Sequence, residues 1–142
     1  AKPLFLRTSS HDWVDGGWTM EDNLELARIL GPLGVDLIDC SSGGIRSDIS
    51  YPVGPSYQVG FSEIIKKHSA MLTCAVGIIT SAKQANEIVV SGKADAVMLG
   101  REFLRNPNWV LDAAEELKDF LDIEINWPNQ YKSARQKINL KW

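Results

Sequence analysis

The chain has 142 residues, of which 44% are hydrophobic and 23% charged, and these values are typical of one globular domain. Its formal net charge of −3 argues against a nucleic-acid partner, because neutralising phosphates requires a basic face. No apolar run reaches the roughly 18 residues that a membrane-spanning helix needs. We therefore expect neither a nucleic-acid nor a membrane partner.

The two cysteines, Cys40 and Cys74, lie inside apolar runs, and their spacing matches no metal motif. This favours buried free thiols and fits a reducing compartment, so we expect a cytoplasmic protein. The chain begins at Ala1 rather than at a methionine and enters an apolar run almost at once. This start is typical of a cut made just before a strand and predicts a fragment or a processed product.

In chain order, the first element is a buried strand over residues 4–9, followed by a polar loop. Thr19-Met20-Glu21-Asp22 has the form of a capping box and begins a helix. Gly31-Pro32 predicts a kink or an early end of that helix, because proline removes a helical hydrogen bond. A second strand is predicted over residues 35–41.

A long loop over residues 42–60 comes next, and loops of this length are usually functional or disordered. Residues 122–142 show little periodicity and are expected to form a tail used for packing or as an interface. Between them we predict a helix over 61–68, a strand over 71–76, a helix from Thr80 or Ser81 to about Ser91, a strand over 96–99, a helical turn from Arg101 and a helix from Asn106-Pro107 to about Leu121.

Strands thus alternate with helices four times, which predicts an α/β fold with a parallel sheet buried between helices. Four such units fit either a small doubly wound sheet or half of an eight-unit barrel. A whole (β/α)8 barrel takes about 250 residues, so residues 1–121 would be about half of one.

Two glycines stand directly after predicted strands, and an arginine follows the second. Gly77 and Gly100 could let a ligand approach the backbone, and Arg101 could pair with phosphate oxygens. The last two βα loops are where many barrels bind phosphate. The alternative is that both glycines form tight turns and that Arg101 is a solvated charge.

Arg7 lies among the apolar residues of the first strand, where an unpaired charge is costly. It either faces a bound group of negative character or forms a structural ion pair with Asp36 or Asp39 on the next strand. The residues alone leave both interpretations open.

Five segments, in this order and spacing, resemble the C-terminal half of the Old Yellow Enzyme family, in its xenobiotic and ene-reductase branch. The resemblance extends over nearly the whole chain. The segments are Pro3-Leu4-Phe5-Leu6-Arg7-Thr8-Ser9, residues 34–43, Tyr57-Gln58, residues 75–80 and residues 100–107.

The resemblance implies the C-terminal half of a TIM barrel and an FMN-dependent NAD(P)H oxidoreductase that reduces activated alkenes of the enone type, with NADPH as hydride donor. It also implies that Arg7 contacts the pyrimidine edge of the flavin, and that Gly77, Gly100 and Arg101 bind the FMN phosphate. Another phosphate-binding barrel, such as an aldolase or synthase half, lacks support because no predicted strand carries a lysine as a Schiff-base candidate.

The family's first four strands, with its His/His or His/Asn pair and tyrosine acid, have no counterpart in this sequence. We therefore expect no catalytic residue here, an isolated chain without activity, and a partner that is either the missing N-terminal half or a second copy. His11 and His68 are expected to be solvated, and Arg135 is displaced from the family's tail position. The alternative function is a non-catalytic half barrel that self-associates or binds a phosphate ligand without turnover.

Overall fold

The computed structural model describes residues 2–121 and 124–132. Within these ranges no helix is long and apolar enough to cross a membrane. The elements in chain order are β1 (Phe5–Ser9), α1 (Met20–Leu30), β2 (Leu37–Ser41), α2 (Val59–Ser69), β3 (Leu72–Ala75), α3 (Ala82–Val90), β4 (Ala96–Val97), α4 (Arg101–Arg105), α5 (Trp109–Leu121) and α6 (Asn129–Lys132).

The four strands form one parallel sheet in the order β1-β2-β3-β4. Each strand lies beside the one that precedes it, and the order never reverses, as it would in a doubly wound sheet. Since βα crossovers are right-handed, stepping always in one direction places every helix on the same face. The topology therefore decides between the two predicted folds in favour of half a (β/α)8 barrel.

The helices cover the outer face of the sheet with two apolar clusters. The first joins β2 to α1 and α2 through Ile38, Cys40, Ala27 and Ile65, which are fully buried. The second joins β3, α2 and α3 around Ala75. Burial of this apolar area is the main force that holds the helices on the sheet.

Both cysteines are free and buried, as predicted. Burial raises the pKa of the Cys74 thiol to about 12, with a smaller contribution from the Asp39 carboxylate in the same direction and an opposing one from Arg7. Burial also raises the pKa of Cys40. Both thiols are therefore protonated near neutral pH and serve as small apolar side chains.

The prediction that the first strand is buried is wrong. Phe5 of β1 is 57% exposed and Leu72 of β3 is 52% exposed. The register pairs Phe5 with Leu37 and Leu37 with Leu72, so these side chains share the inner face, opposite the helices. In the described part of the chain, helices cover only one face of this sheet, and inner-face side chains such as Phe5 and Leu72 therefore stay exposed.

The predicted helix signals are confirmed at both well-marked caps. Thr19 and Asp22 form the reciprocal bonds of a capping box, and α1 ends at Leu30, directly before Gly31. Ser81 caps α3 by accepting a hydrogen bond from the backbone N–H of Gln84 at 3.2 Å.

Other boundaries differ from the prediction. Strand β4 is two residues long rather than four, and α2 begins at Val59 rather than Phe61. Helix α5 begins at Trp109 rather than Pro107, because the Asn106 side chain accepts from the Asn108 N–H and forms a separate turn. The described part of the tail includes the short helix α6. The packing or interface role predicted for the tail falls mostly on residues outside the described ranges.

Candidate functional site

A cavity of about 370 Å³ opens at the carboxyl ends of the strands. Its lining includes all four residues that the sequence proposed as cofactor contacts, namely Arg7, Gly77, Gly100 and Arg101. They come from β1 and from the segments that follow β3 and β4. Ligands of barrel enzymes bind at this end of the sheet.

Gly77 is the most constrained glycine of the pocket. Its φ of +118° is one that residues with a side chain rarely adopt. A Cβ atom added there would lie 2.9 Å from Nε2 of Gln58 and 3.0 Å from a ring carbon of Tyr57. The tight-turn interpretation therefore accounts for Gly77 at least in part, because the local backbone and packing require glycine.

Gly100 has a different environment. Its φ is −96°, which most residues can adopt, and no atom lies within 4 Å of the position a Cβ would take. Its backbone therefore faces open pocket space. Neither a positive φ nor crowding by the described residues accounts for a glycine here, and the bare backbone leaves room for a ligand to approach.

The two arginines of α4 differ in their pairing. Arg105 forms an ion pair with Glu102, one helical turn earlier. Arg101 is exposed and, within residues 2–121 and 124–132, pairs with no carboxylate. Arg101 is thus a cation that a bound anion could engage.

Arg7 forms one of the two ion pairs that the sequence suggested, and it also lines the pocket. Its Nη1 lies 3.3 Å from Oδ2 of Asp39, and its Nε donates to Ser41 Oγ at 3.3 Å. The same side chain is 57% exposed and lines the pocket. The other candidate partner, Asp36, instead accepts a hydrogen bond from the Leu4 N–H at 2.7 Å.

Asp39, the carboxylate partner of Arg7, is almost fully buried. Burial raises the pKa of its carboxyl group, and the Arg7 charge partly offsets that rise. Oδ1 of Asp39 has no hydrogen-bond partner among the described residues. The carboxylate therefore depends on Arg7, and it fixes the arginine against β2.

The pKa of Tyr57, which lines the pocket, responds to the charges around it. Burial raises the pKa of its phenol, and neighbouring Tyr51 adds to the rise, while Arg101 and Arg7 both act to lower it. The two arginine charges, one on β1 and one at the start of α4, therefore act on the same phenol. A pocket with this arrangement attracts anions.

Sequence reasoning gave no role to two glutamines that organise the site. Gln58 is buried and accepts from Ser42 Oγ at 2.8 Å, while its Nε2 lies 3.4 Å from the Val76 carbonyl oxygen. Gln84 bonds to the segment after β3. The only sequence signal was the position of Gln58 in the Tyr57-Gln58 segment, since an amide carries no periodic pattern.

The prediction that His11 is solvated is wrong, whereas His68 is exposed as expected. His11 is partly buried, its Nδ1 accepts from the Trp13 N–H at 2.8 Å, and its ring lies 4.8 Å from that of Trp13. Stacked rings of Trp13, Tyr51 and Tyr57 continue from it to the pocket wall. The cluster packs the loops after β1 and β2 together.

These observations define the class of protein as half of a (β/α)8 barrel with an arginine-bearing pocket at the carboxyl ends of its strands. A family model described as the NADH:flavin oxidoreductase / NADH oxidase family matches residues 1–119. The chain belongs to this family, and the resemblance stated from the sequence is confirmed.

Curated relatives agree with the family. The chain is 43% identical over 136 residues to an NADPH dehydrogenase of Bacillus cytotoxicus and 44% identical over 131 residues to that of Bacillus subtilis. The matches cover 96% and 92% of this chain but only 38% and 37% of the relatives. The chain therefore spans well under half the length of these proteins. The family description names a flavin and the relatives' names include NADPH, the two cofactors that the resemblance implied.

Solved structures support the fold. A ligand-free DHODH from Eimeria tenella has a TM-score of 0.59 and 18% identity, covering 84% of this chain and 35% of that one. The same protein in complex with ferulenol has a TM-score of 0.59, 16% identity and coverages of 86% and 35%. At such identities the likeness concerns the fold alone, and its extent agrees with half a barrel.

Proposed function

We propose that this chain supplies the phosphate side of an FMN site in an NAD(P)H-dependent oxidoreductase that reduces activated alkenes. The observation that carries the proposal is the convergence of Arg7, Gly77, Gly100 and Arg101 on one cavity. The family membership and the names of the relatives support flavin-dependent oxidoreduction. Bound FMN would supply the hydride-transfer chemistry, and the protein positions and tunes it.

The phosphate would be held by Arg101 and by the backbone beside Gly77 and Gly100. Arg101 offers a guanidinium without a carboxylate partner in the described part of the chain, and its planar fork suits phosphate oxygens. Open space beside Gly100 leaves room for an anion against the backbone. This donor set fits a phosphate monoester.

Arg7 would face the part of the flavin that gains negative charge on reduction. Its ion pair with Asp39 and its bond to Ser41 hold the guanidinium in place before any ligand arrives. A cation fixed in this way stabilises developing charge without reorganising. The role of Arg7 is thus electrostatic.

The substrate side of the site would come from a complementary half barrel. The chain spans 38% of its relatives, and the inner face of its sheet exposes Phe5 and Leu72. Strands β1 and β4 are the two edges of the sheet in the described chain. Unpaired edges and an apolar inner face favour association, and a second copy is the alternative partner.

The test compares FMN with riboflavin, which lacks the phosphate. We expect the chain to quench FMN fluorescence with an affinity at least about tenfold higher than for riboflavin, because a charge-assisted phosphate contact is worth about one power of ten or more. Arg101→Met should remove most of that difference.

Arg46→Met is the matched control, because Arg46 is also an exposed arginine but pairs with Asp48 and does not line the pocket. It should leave both affinities unchanged. Equal affinities of the wild-type chain for FMN and riboflavin, or an Arg101→Met variant that discriminates like wild type, would contradict the proposal.

A further inference from the structure

Gln84, on α3, ties the segment after β3 to its surroundings. Its Oε1 accepts a hydrogen bond from the Thr80 N–H at 2.9 Å, and its Nε2 donates to the Ile78 carbonyl oxygen at 3.0 Å. The same Nε2 donates to Ser56 Oγ at 2.8 Å, in the loop before α2. One side chain thus connects residues 78–80, their helix and a second loop.

The segment that Gln84 holds has an unusual backbone. Ile78 has a φ of +49°, and branched side chains rarely occupy this left-handed region. Its neighbour Gly77 also has a positive φ, +118°. A residue in such a conformation persists only where the surrounding structure fixes it, and strained residues of this kind gather at ligand sites.

Other contacts hold the ends of the segment but not Ile78. The Ser56 N–H donates to the Gly77 carbonyl oxygen at 3.0 Å, and Ile79 is anchored in the apolar core. Between them, the carbonyl oxygen of Ile78 accepts from the Gln84 amide. Gln84 is not part of the pocket lining, whereas residues 76–80 are.

We propose that Gln84 is a positioning residue that holds residues 77–80 in the conformation required to bind an anion. It acts through Ile78 and Thr80 rather than by touching the ligand. The identity of the anion as the FMN phosphate rests on the proposed function. The segment Ser81-Ala82-Lys83-Gln84 has the spacing of a capping box, which by itself would give Gln84 only a capping role. Its bonds to Ile78 and Ser56 go beyond that role.

The experiment compares Gln84→Met with Ser81→Ala. The first variant keeps the length of the side chain and loses its hydrogen bonds. The second removes the cap bond between Ser81 Oγ and the Gln84 N–H but leaves the Gln84 side chain in place. Amide hydrogen exchange at Thr80 is measured in the ligand-free chain, and FMN affinity is measured by fluorescence.

In Gln84→Met we expect exchange at Thr80 to be about tenfold faster and FMN affinity about tenfold lower, the size of effect that one or two lost hydrogen bonds produce. Ser81→Ala should stay within about twofold of wild type in both measurements. Unchanged Thr80 exchange in Gln84→Met, or equal effects of the two variants, would overturn the inference. If the wild-type chain fails to bind FMN, the proposed function fails, and the exchange measurement still decides the role of Gln84.

Discussion

At the scale of single residues, the two pocket glycines look alike in the sequence but differ in the structure. Both follow a strand, and both were proposed to let a ligand approach the backbone. Gly77 has a positive φ and is packed against Gln58 and Tyr57, whereas Gly100 has an ordinary φ and open space beside it. Gly77 is therefore required by the local fold itself, whereas neither a positive φ nor crowding requires a glycine at position 100.

This difference predicts opposite results for the two alanine variants. Gly77→Ala should lower the free energy of unfolding by about 2 kcal/mol, because the new Cβ meets neighbouring atoms in a backbone region that alanine avoids. Gly100→Ala should change it by no more than about 0.5 kcal/mol but weaken FMN binding about tenfold. Urea unfolding and FMN titration measure the two effects. A destabilised Gly100→Ala variant, or one that binds FMN normally, would contradict this account.

Sequence reasoning at this scale could single out Arg7, Gly77, Gly100 and Arg101 as candidate contacts because their types and strand-end positions carry chemical meaning. It could not choose between the two roles of Arg7, since an ion pair with Asp39 and exposure to the pocket depend on geometry. It also missed Gln58, whose contact with the Gly77 position joins residues far apart in the chain.

At the scale of elements, Asp95 connects three parts of the fold. Asp95 lies directly before β4. Its Oδ1 accepts a hydrogen bond from Lys66 Nζ of α2 at 2.6 Å, and its Oδ2 accepts one from the Thr73 N–H of β3 at 2.8 Å. Burial acts to raise the pKa of Asp95, but the bonds from Lys66 and Thr73 outweigh it, and the net pKa is lowered.

A lowered pKa in the folded state stabilises the protein above the pKa of the unfolded chain, and this contribution is lost as the pH falls through the folded value. We therefore expect wild type to lose stability below about pH 4, whereas Asp95→Asn lacks this component. At pH 7 the variant should be less stable by about 1 kcal/mol. Urea unfolding from pH 7 to 3 measures the difference, which should shrink with acidification. Glu25→Gln, in the exposed pair with Arg28, is the control and should have little effect; a constant Asp95→Asn deficit across the pH range would contradict this expectation.

The elements themselves were predictable where local signals are strong. The capping box at Thr19 and the Gly31-Pro32 stop act within one helical turn, and both were found correctly. The bounds of β4 and α5 were not predicted correctly, because they depend on where strand pairing ends and on the turn that Asn106 forms before the helix. These are tertiary effects without a local sequence signature.

At the scale of the whole molecule, alternating strands and helices predicted a parallel sheet but did not distinguish a doubly wound sheet from half a barrel. The strand order β1-β2-β3-β4 decided for half a barrel. The sequence also predicted buried strands, and this failed at Phe5 and Leu72, since burial depends on a cover for the inner face. An exposed inner face and two sheet edges are what a half barrel offers to a complementary half.

The most direct test of the central claim is a chimera in which this chain replaces the matching 37% of the Bacillus subtilis NADPH dehydrogenase. Flavin content after purification and NADPH oxidation in the presence of a cyclic enone are measured. We predict a yellow, active chimera that loses FMN with Arg101→Met and keeps it with Arg46→Met. A folded chimera without FMN, or one whose FMN content ignores Arg101→Met, would contradict the account.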